Sequence, residues 1–211
     1  MDTTLYYSPG AASLLVHWLL LELDVPHVLR RVDFSRGEQK APAFLALNPH
    51  GTVPVLVLDG VARHEAAAIA LLLAERHPQA GLAPAPGDPR RADYLQWMFE
   101  LANVLQPLFR QWWYPAEPAG EACAEAVRAH CAPRIEACWD RIDARLAAAG
   151  PYLLGEAPSV PDFYLTMLMR WARNMPRPAT AWPALAALAA RMKARPSFAA
   201  LYAREGLSEW A

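Results

Sequence analysis

The run Thr52-Val-Pro-Val-Leu-Val-Leu-Asp-Gly60 is the part of this chain best suited to holding a ligand. Residues 55–58 are apolar and rich in β-branched side chains, and Asp59-Gly60 closes them with a turn signal, so they read as a buried strand. Proline has no N–H to give a ladder and belongs at a strand's first residue, at an edge or at a bulge. Pro54 therefore marks where the strand begins. Val53 before it is pushed to extended geometry, at the one kind of peptide bond where cis costs little. Val53 is thus expected to turn its amide and carbonyl toward a cleft, an edge against which an extended peptide can pair. Glu65 then opens a helical run to His77, and the first amides of such a helix attract an anion through their free N–H groups and the dipole. An acid at a helix start is favourable on dipole grounds alone, so Glu65 by itself carries both a structural and a ligand reading.

Metal chemistry has little support. The six histidines show no ligand spacing and there is no C-x-x-C. Cys123, Cys131 and Cys138 cannot all pair; spacings of eight and seven residues put them on one stripe of a long helix, as small apolar core residues.

The elements that must position these groups follow from periodicity and turn signals. Strands are expected at 3–7, 27–32, 54–58 and 61–63, and helices at 11–23, 42–47 and 65–77, with an Asp59-Gly60 hairpin. That β-α-β then β-β-α order fits a mixed sheet whose first half is parallel. Residues 78–89 hold four prolines and two glycines and read as a linker. Beyond it helices are expected at 89–113, 121–149, 160–174, 183–195 and 197–205. The expected organisation is an α/β domain over 1–78, a linker over 79–89 and an all-α domain over 90–211. Ser159-Val-Pro-Asp162 is a capping box with Pro161 in the first turn, a folding element.

Composition narrows the function classes. The chain has 211 residues, 55% hydrophobic and 19% charged, which is ample for one or two cores. A net charge of -1 offers no electrostatic reason to bind nucleic acid or an anionic membrane surface. No stretch of ~18 uncharged apolar residues occurs, and the first residues lack a basic segment followed by an apolar one. A cytoplasmic location is expected.

Taken together, the segments Leu5-Tyr-Tyr-Ser-Pro-Gly-Ala-Ala-Ser-Leu14, Asn48-Pro-His-Gly-Thr-Val-Pro-Val-Leu56, Glu65-Ala-Ala-Ala-Ile69 and Ser159-Val-Pro-Asp162 resemble the glutathione transferase family. Its loop reads Asn-Pro-x-Gly-x-Val-Pro-x-Leu with a cis proline. The start is most similar to bacterial beta-class members, which read Tyr-x-Pro-Gly-Ala-Cys-Ser-Leu. The resemblance spans essentially the whole chain. It implies a thioredoxin-like first domain, an all-helical second domain and a homodimer in which the first domain of one subunit meets the helical domain of the other. It also implies binding of glutathione without a metal.

On that resemblance, Val53 and Pro54 hold the cysteinyl unit and Glu65 the γ-glutamyl ammonium. Ala66 stands where relatives usually have Ser, so only its helix-terminal amide is left for the γ-glutamyl carboxylate; one neutral hydrogen bond is lost, worth ~0.5–1.5 kcal/mol. His50, Thr52 and Lys40 are candidates near the glycyl carboxylate. The thiolate is the nucleophile. Beta-class members contribute a Cys where this chain has Ala12, so the expected donor is Ser13, which also suits an N-cap, with Tyr6, Tyr7 and Ser8 nearby. Strand alternation sends Tyr6 and Tyr7 to opposite faces. The class's Glu-Leu-His-Lys-x-x-x-Pro-Leu-Phe run reads Glu100-Leu-Ala-Asn-Val-Leu-Gln-Pro-Leu-Phe109 here, with Ala102 and Asn103 replacing the His and Lys. Asn103, and Gln106 three residues on, are the neutral donors left. Tyr7, Gln106, Phe109 and Trp113, with Trp112, Tyr114, Trp171 and Met175, are expected to line a hydrophobic co-substrate pocket between the domains. The expected function is transfer of glutathione to small hydrophobic electrophiles, a detoxifying reaction. The alternatives are a glutathione-dependent peroxidase or disulfide reductase, or a non-catalytic ligand-binding protein of this fold.

Overall fold

A computed structural model describes residues 3–210. The chain divides into two compact units: the described residues up to Ala83 together with those from Lys193 onward, and Pro84–Met192. In the first unit the order is β1 (Thr4–Tyr7), α1 (Ser13–Glu22), β2 (Val28–Arg31), α2 (Pro42–Leu45), β3 (Val55–Leu58), β4 (Val61–His64) and α3 (Ala66–Arg76). The four strands lie in the order β2-β1-β3-β4. β1 and β2 are parallel, and both other pairings are antiparallel. This is the mixed sheet expected from the sequence.

Alternation along the strands sorts the side chains. Tyr6 meets Phe44 of α2 edge-on, with ring centroids 6.0 Å apart, and Val32, Val53 and Val55 complete that apolar layer. Tyr7 turns the other way and lies 5.9 Å from the ring of His17 on α1. Residues 13–20 of α1 are buried all round, so this helix needs cover on every side. It packs against β1, α3 and α10 (Pro196–Glu205). Trp18 rests on Phe198 at 5.2 Å and its indole N–H donates to Ser197 Oγ at 2.8 Å; Arg195 pairs with Glu22. The helical domain expected over 90–211 therefore loses its last helix to the first unit, because α10 supplies the lid that an apolar α1 requires.

The second unit holds α4 (Arg91–Glu100), a π-helical turn over Leu101–Leu105, α5 (Gln106–Trp113), the short α6 (Ala116–Ala119), α7 (Ala124–Ala149), α8 (Val160–Trp171) and α9 (Pro183–Lys193). The single helix expected over 89–113 is thus interrupted. Pro107 has no N–H for the carbonyl four residues back, at Asn103, and the backbone widens one turn earlier. Cys131 and Cys138 are buried on α7, whereas Cys123 is exposed just before that helix begins, so the three do not share one stripe. Asp162 closes the capping box of α8: its carboxylate accepts from Ser159 N at 2.8 Å and Ser159 Oγ at 2.9 Å, and from Leu153 N at 2.9 Å. Among the described residues no helix is long and apolar enough to cross a membrane.

Candidate functional site

Register alone brings the expected ligand-binding segments to one end of the sheet. Tyr6 pairs with Val55, and Val55 with His64. Carrying the antiparallel pairing one and two residues further sets Pro54 opposite Tyr7 and Glu65, and Val53 opposite Ser8 and Ala66. The end of β1, the start of β3 and the start of α3 therefore meet outside the carboxyl ends of the parallel pair β1 and β2, the usual place for ligands in open α/β sheets.

The loop that delivers Val53 is braced from within. Asn48 is buried, and its amide donates to Thr52 O at 2.8 Å and to Thr52 Oγ1 at 3.1 Å. His50 N donates back to Asn48 Oδ1 at 3.1 Å. Gly51 sits at φ +62, and a Cβ there would stand 2.8 Å from the Gln39 carbonyl, so no other residue fits this turn unstrained. The same geometry places Lys40 Nζ beside Gly51, 3.1 Å from that Cβ position. The Val53-Pro54 bond is cis, as the resemblance implied. Thr52 and His50 are exposed and Val53 is buried.

Glu65 has φ 72 and ψ 104, a left-handed conformation that a non-glycine residue adopts at a cost of about 1–3 kcal/mol. Strain of this kind persists where the surroundings over-determine it, and it clusters at ligand clamps. Its side chain is 75% exposed and stands free to meet a solute. Ala66 is the first residue of α3, whose earliest intrahelical bond runs from Ile69 N to Glu65 O at 3.0 Å, leaving the first-turn amides for another acceptor.

At the other side of the cleft Ser13 is 0% exposed. It is the first residue of α1 and not its N-cap, which is Ala12. Its hydroxyl donates to Ser8 O and accepts from Ser8 N, both at 3.2 Å, closing the loop 8–13 on itself. Tyr7 is buried against α1, and Tyr6 faces α2.

Sequence reading missed the group that ties this loop down. Glu205 on α10 accepts from Gly10 N at 2.9 Å and from His17 Nδ1 at 2.8 Å, and both side chains of the His17–Glu205 pair are 0% exposed. A carboxylate can only accept, so His17 donates from Nδ1, and its buried Nε2 has no partner. Neighbouring His27 donates from Nδ1 to Val25 O at 2.7 Å. Burial pushes the His27 imidazole below its ordinary pKa; the Val25 carbonyl opposes this, and His17 and Arg204 add to it. Nothing local marks Glu205, which is 195 residues from Gly10. Asn48 and Gly51 did carry a signal, the Asn-Pro-x-Gly turn.

The residues expected in the second unit divide. Asn103 is exposed in the π-helical turn, while half-buried Gln106 accepts from Tyr164 Oη at 2.5 Å. The extra residue of that turn breaks the simple three-apart relation between them. Phe109, expected in the co-substrate pocket, is wholly buried between Trp139 at 6.0 Å and Trp171 at 6.1 Å, and packs the core. Met175 is buried too. Trp113 and Tyr114 are exposed at 40% and 47%. Arg110 lies 4.0 Å over Tyr114 and is held by Glu117.

Comparison with known proteins agrees with this geometry. The family model for the glutathione S-transferase N-terminal domain matches residues 12–76, and that for the C-terminal domain matches residues 125–204. Glutathione S-transferase GST-4.5 of Xanthomonas campestris pv. campestris is 31% identical over 97% of this chain and 99% of its own. Among solved structures, a glutathione transferase homologue from Sulfitobacter with bound glutathione superposes at a TM-score of 0.89, with 31% identity over 98% of this chain and 99% of that one. A bacterial beta-class glutathione S-transferase from Sphingomonas chungbukensis superposes at 0.85, with 29% identity over 97% and 100%. A cis-proline loop, a strained acid at the start of α3 and whole-chain similarity converge: this chain belongs to the glutathione S-transferase family and is a glutathione transferase.

Proposed function

We propose that this transferase binds glutathione extended along Val53-Pro54 and transfers it to small hydrophobic electrophiles. The cysteinyl unit pairs with the Val53 backbone. Glu65 accepts the γ-glutamyl ammonium, and the Ala66 amide and the dipole of α3 take the carboxylate beside it. Lys40, His50 and Thr52 serve the glycyl end. The sulfur lies over the loop 8–13, where the positive end of α1 favours thiolate over thiol. Ser13 is the side-chain donor for that sulfur, exchanging its bond to Ser8 O for one to the thiolate. The single observation that supports this most is the meeting, at one end of the sheet, of Val53-Pro54, the loop before α1 and a left-handed Glu65.

The reaction needs no metal. Thiolate sulfur attacks the electrophilic carbon of, for example, an aryl halide; a C–S bond forms, the carbon–halogen bond breaks and halide leaves, with the thiol proton passing to solvent. Trp113 and Gln106 are the groups we assign to the co-substrate; Gln106 is oriented by Tyr164. Asn103 is a weaker candidate on an exposed turn. Formation of the aryl thioether from glutathione and an activated aryl chloride, followed by absorbance, tests the activity. Absence of an enzyme-dependent rate at saturating glutathione contradicts it.

We assign the protein to the cytoplasm, in keeping with three free cysteines, and to a two-fold homodimer with a self-complementary interface. Phe99 and Val104 are exposed large apolar residues available to such an interface. Sedimentation equilibrium at micromolar concentration is expected to give twice the chain mass; the mass of one chain contradicts the dimer.

A further inference from the structure

Gln106 is the first residue of α5 and directly follows the π-helical turn. Its half-buried carboxamide has two unlike ends, an oxygen that accepts and an NH2 that donates. Tyr164 of α8, only 1% exposed, donates its phenol O–H to Oε1 at 2.5 Å. That bond ties down the acceptor end and turns Nε2 away from Tyr164. A carboxamide free to rotate would offer either end to a solute; this one is set as a donor.

Residues seven apart on a helix share one stripe, so Trp113 stands two turns further along the face of Gln106, about 10 Å along the axis. Trp113 is 40% exposed, whereas Phe109 between them is turned into the core against Trp139 and Trp171. Arg173 lies 6.0 Å over the Trp113 ring and steadies it. Arg110, also between them, is engaged by Glu117 and Tyr114. The stripe thus offers a flat apolar ring at one end and a fixed, uncharged N–H donor at the other. That spacing suits an aromatic ring carrying a short conjugated chain that ends in an oxygen acceptor.

We propose that Gln106 is a catalytic residue of the transfer, and that the co-substrates it selects are aryl-substituted α,β-unsaturated ketones. This rests on the reading of the protein as a transferase with Gln106 and Trp113 at the co-substrate, and adds to it a class of acceptor and a task for the amide. The aryl ring lies on Trp113, and the ketone oxygen accepts from Gln106 Nε2. Thiolate sulfur attacks the β-carbon: a C–S bond forms, the C=C π pair shifts toward the carbonyl, and the negative charge arrives on the oxygen at Gln106. A proton from solvent then reaches the α-carbon and completes the saturated thioether, with no group leaving. A donor aimed where charge develops holds the transition state more tightly than the ground state. In an activated aryl halide the charge spreads over ring and nitro groups, where one fixed N–H gains less. Tyr164 touches no reacting atom; it is a positioning residue that acts through Gln106.

Steady-state rates at saturating glutathione, corrected for the uncatalysed addition, test this with 4-phenylbut-3-en-2-one and 1-chloro-2,4-dinitrobenzene. The wild type is expected to turn over both. Gln106→Leu is expected to lower kcat for the ketone about tenfold relative to kcat for the aryl chloride, the worth of one hydrogen bond, with KM for the ketone moved less. Gln106→Glu keeps the shape but presents only acceptors when ionised, so the same fall is expected even if leucine disturbs the turn. Tyr164→Phe is expected to lower the ratio about threefold, and to have no further effect on it in a Gln106→Leu background, a coupling that general loosening of the fold would not produce. A ratio unchanged in both Gln106 variants overturns the catalytic role, and a wild type that transfers to the aryl chloride but not to the ketone overturns the class of acceptor. Either result leaves the transferase standing. No enzyme-dependent rate with either acceptor overturns the transferase reading, and this inference with it.

Discussion

Ser13 follows Ala12, the position where family resemblance puts the class cysteine, yet its hydroxyl is spent on Ser8. It braces the loop at rest and, in the proposed function, donates to the thiolate. A hydroxyl that stabilises only the ionised sulfur lowers the thiol pKa by about one unit, or ~1.4 kcal/mol. Ser13→Ala should therefore cut turnover about tenfold and move the pH–rate profile to higher pH, with the affinity for glutathione nearly unchanged. Equal losses in affinity and rate would instead mark Ser13 as a loop brace alone. The residues legible in the sequence were those whose type is dictated locally. Pro54 announces a strand start, Glu65 a helix start, and Ala12 the absence of a class cysteine. Ser13's actual partners were not legible, because Ser8 and Ser13 meet only when the loop folds back on itself. Phe109 was misplaced for a similar reason: a helix periodicity says which residues share a face, not whether that face meets solvent or Trp139.

Helix ends and turns govern how firmly the site is held. Burial pushes the Asp162 carboxyl up to about 6, against the pull of its bonds from Leu153 and Ser159. A folded pKa raised above the ordinary 3.8 means that the folded state holds the proton more tightly. The stability this contributes is full below about pH 4 and is lost as pH rises through about 6. Relative to Asp162→Asn, which cannot titrate, the wild type should lose on the order of 2–3 kcal/mol between pH 4 and 6.5. Urea midpoints of both forms across that range measure the difference, and a constant gap would mean that Asp162 does not change protonation there. Asp162→Ala is a harsher change that strands two backbone donors, and should cost about 2 kcal/mol or more at any pH. The capping box was plain in Ser159-Val-Pro-Asp162, since all its signals lie within four residues. The π-helical turn was not, although Pro107 was in view; a proline inside a helix says that a hydrogen bond is lost, but not how the backbone absorbs it.

Across the whole chain, the first unit is closed by its last helix. Glu205 on α10 reaches back to Gly10 and His17, so one buried carboxylate holds both the site loop and the helix behind it. Glu205→Ala removes the carboxylate from the buried His17 Nδ1–H and should destabilise the protein by about 3 kcal/mol; Glu205→Gln, which keeps acceptor geometry, should recover part of that. Equal stability of the alanine form in urea would show the latch to be dispensable. No sequence pattern marks such a contact, because charge and periodicity on α10 are those of an ordinary surface helix, and only the all-round apolar character of α1 says that something must cover it. An α/β part followed by a helical part, and a mixed sheet with a parallel first half, in contrast, followed from period and punctuation. Isothermal titration of the protein with glutathione decides whether the end of the sheet carrying Val53-Pro54 and Glu65 binds this tripeptide. One site per chain is expected, with Glu65→Ala weakened by ~1–3 kcal/mol, the range of a charge-assisted hydrogen bond. Absence of binding heat in the folded wild type, or an identical dissociation constant in Glu65→Ala, would contradict it.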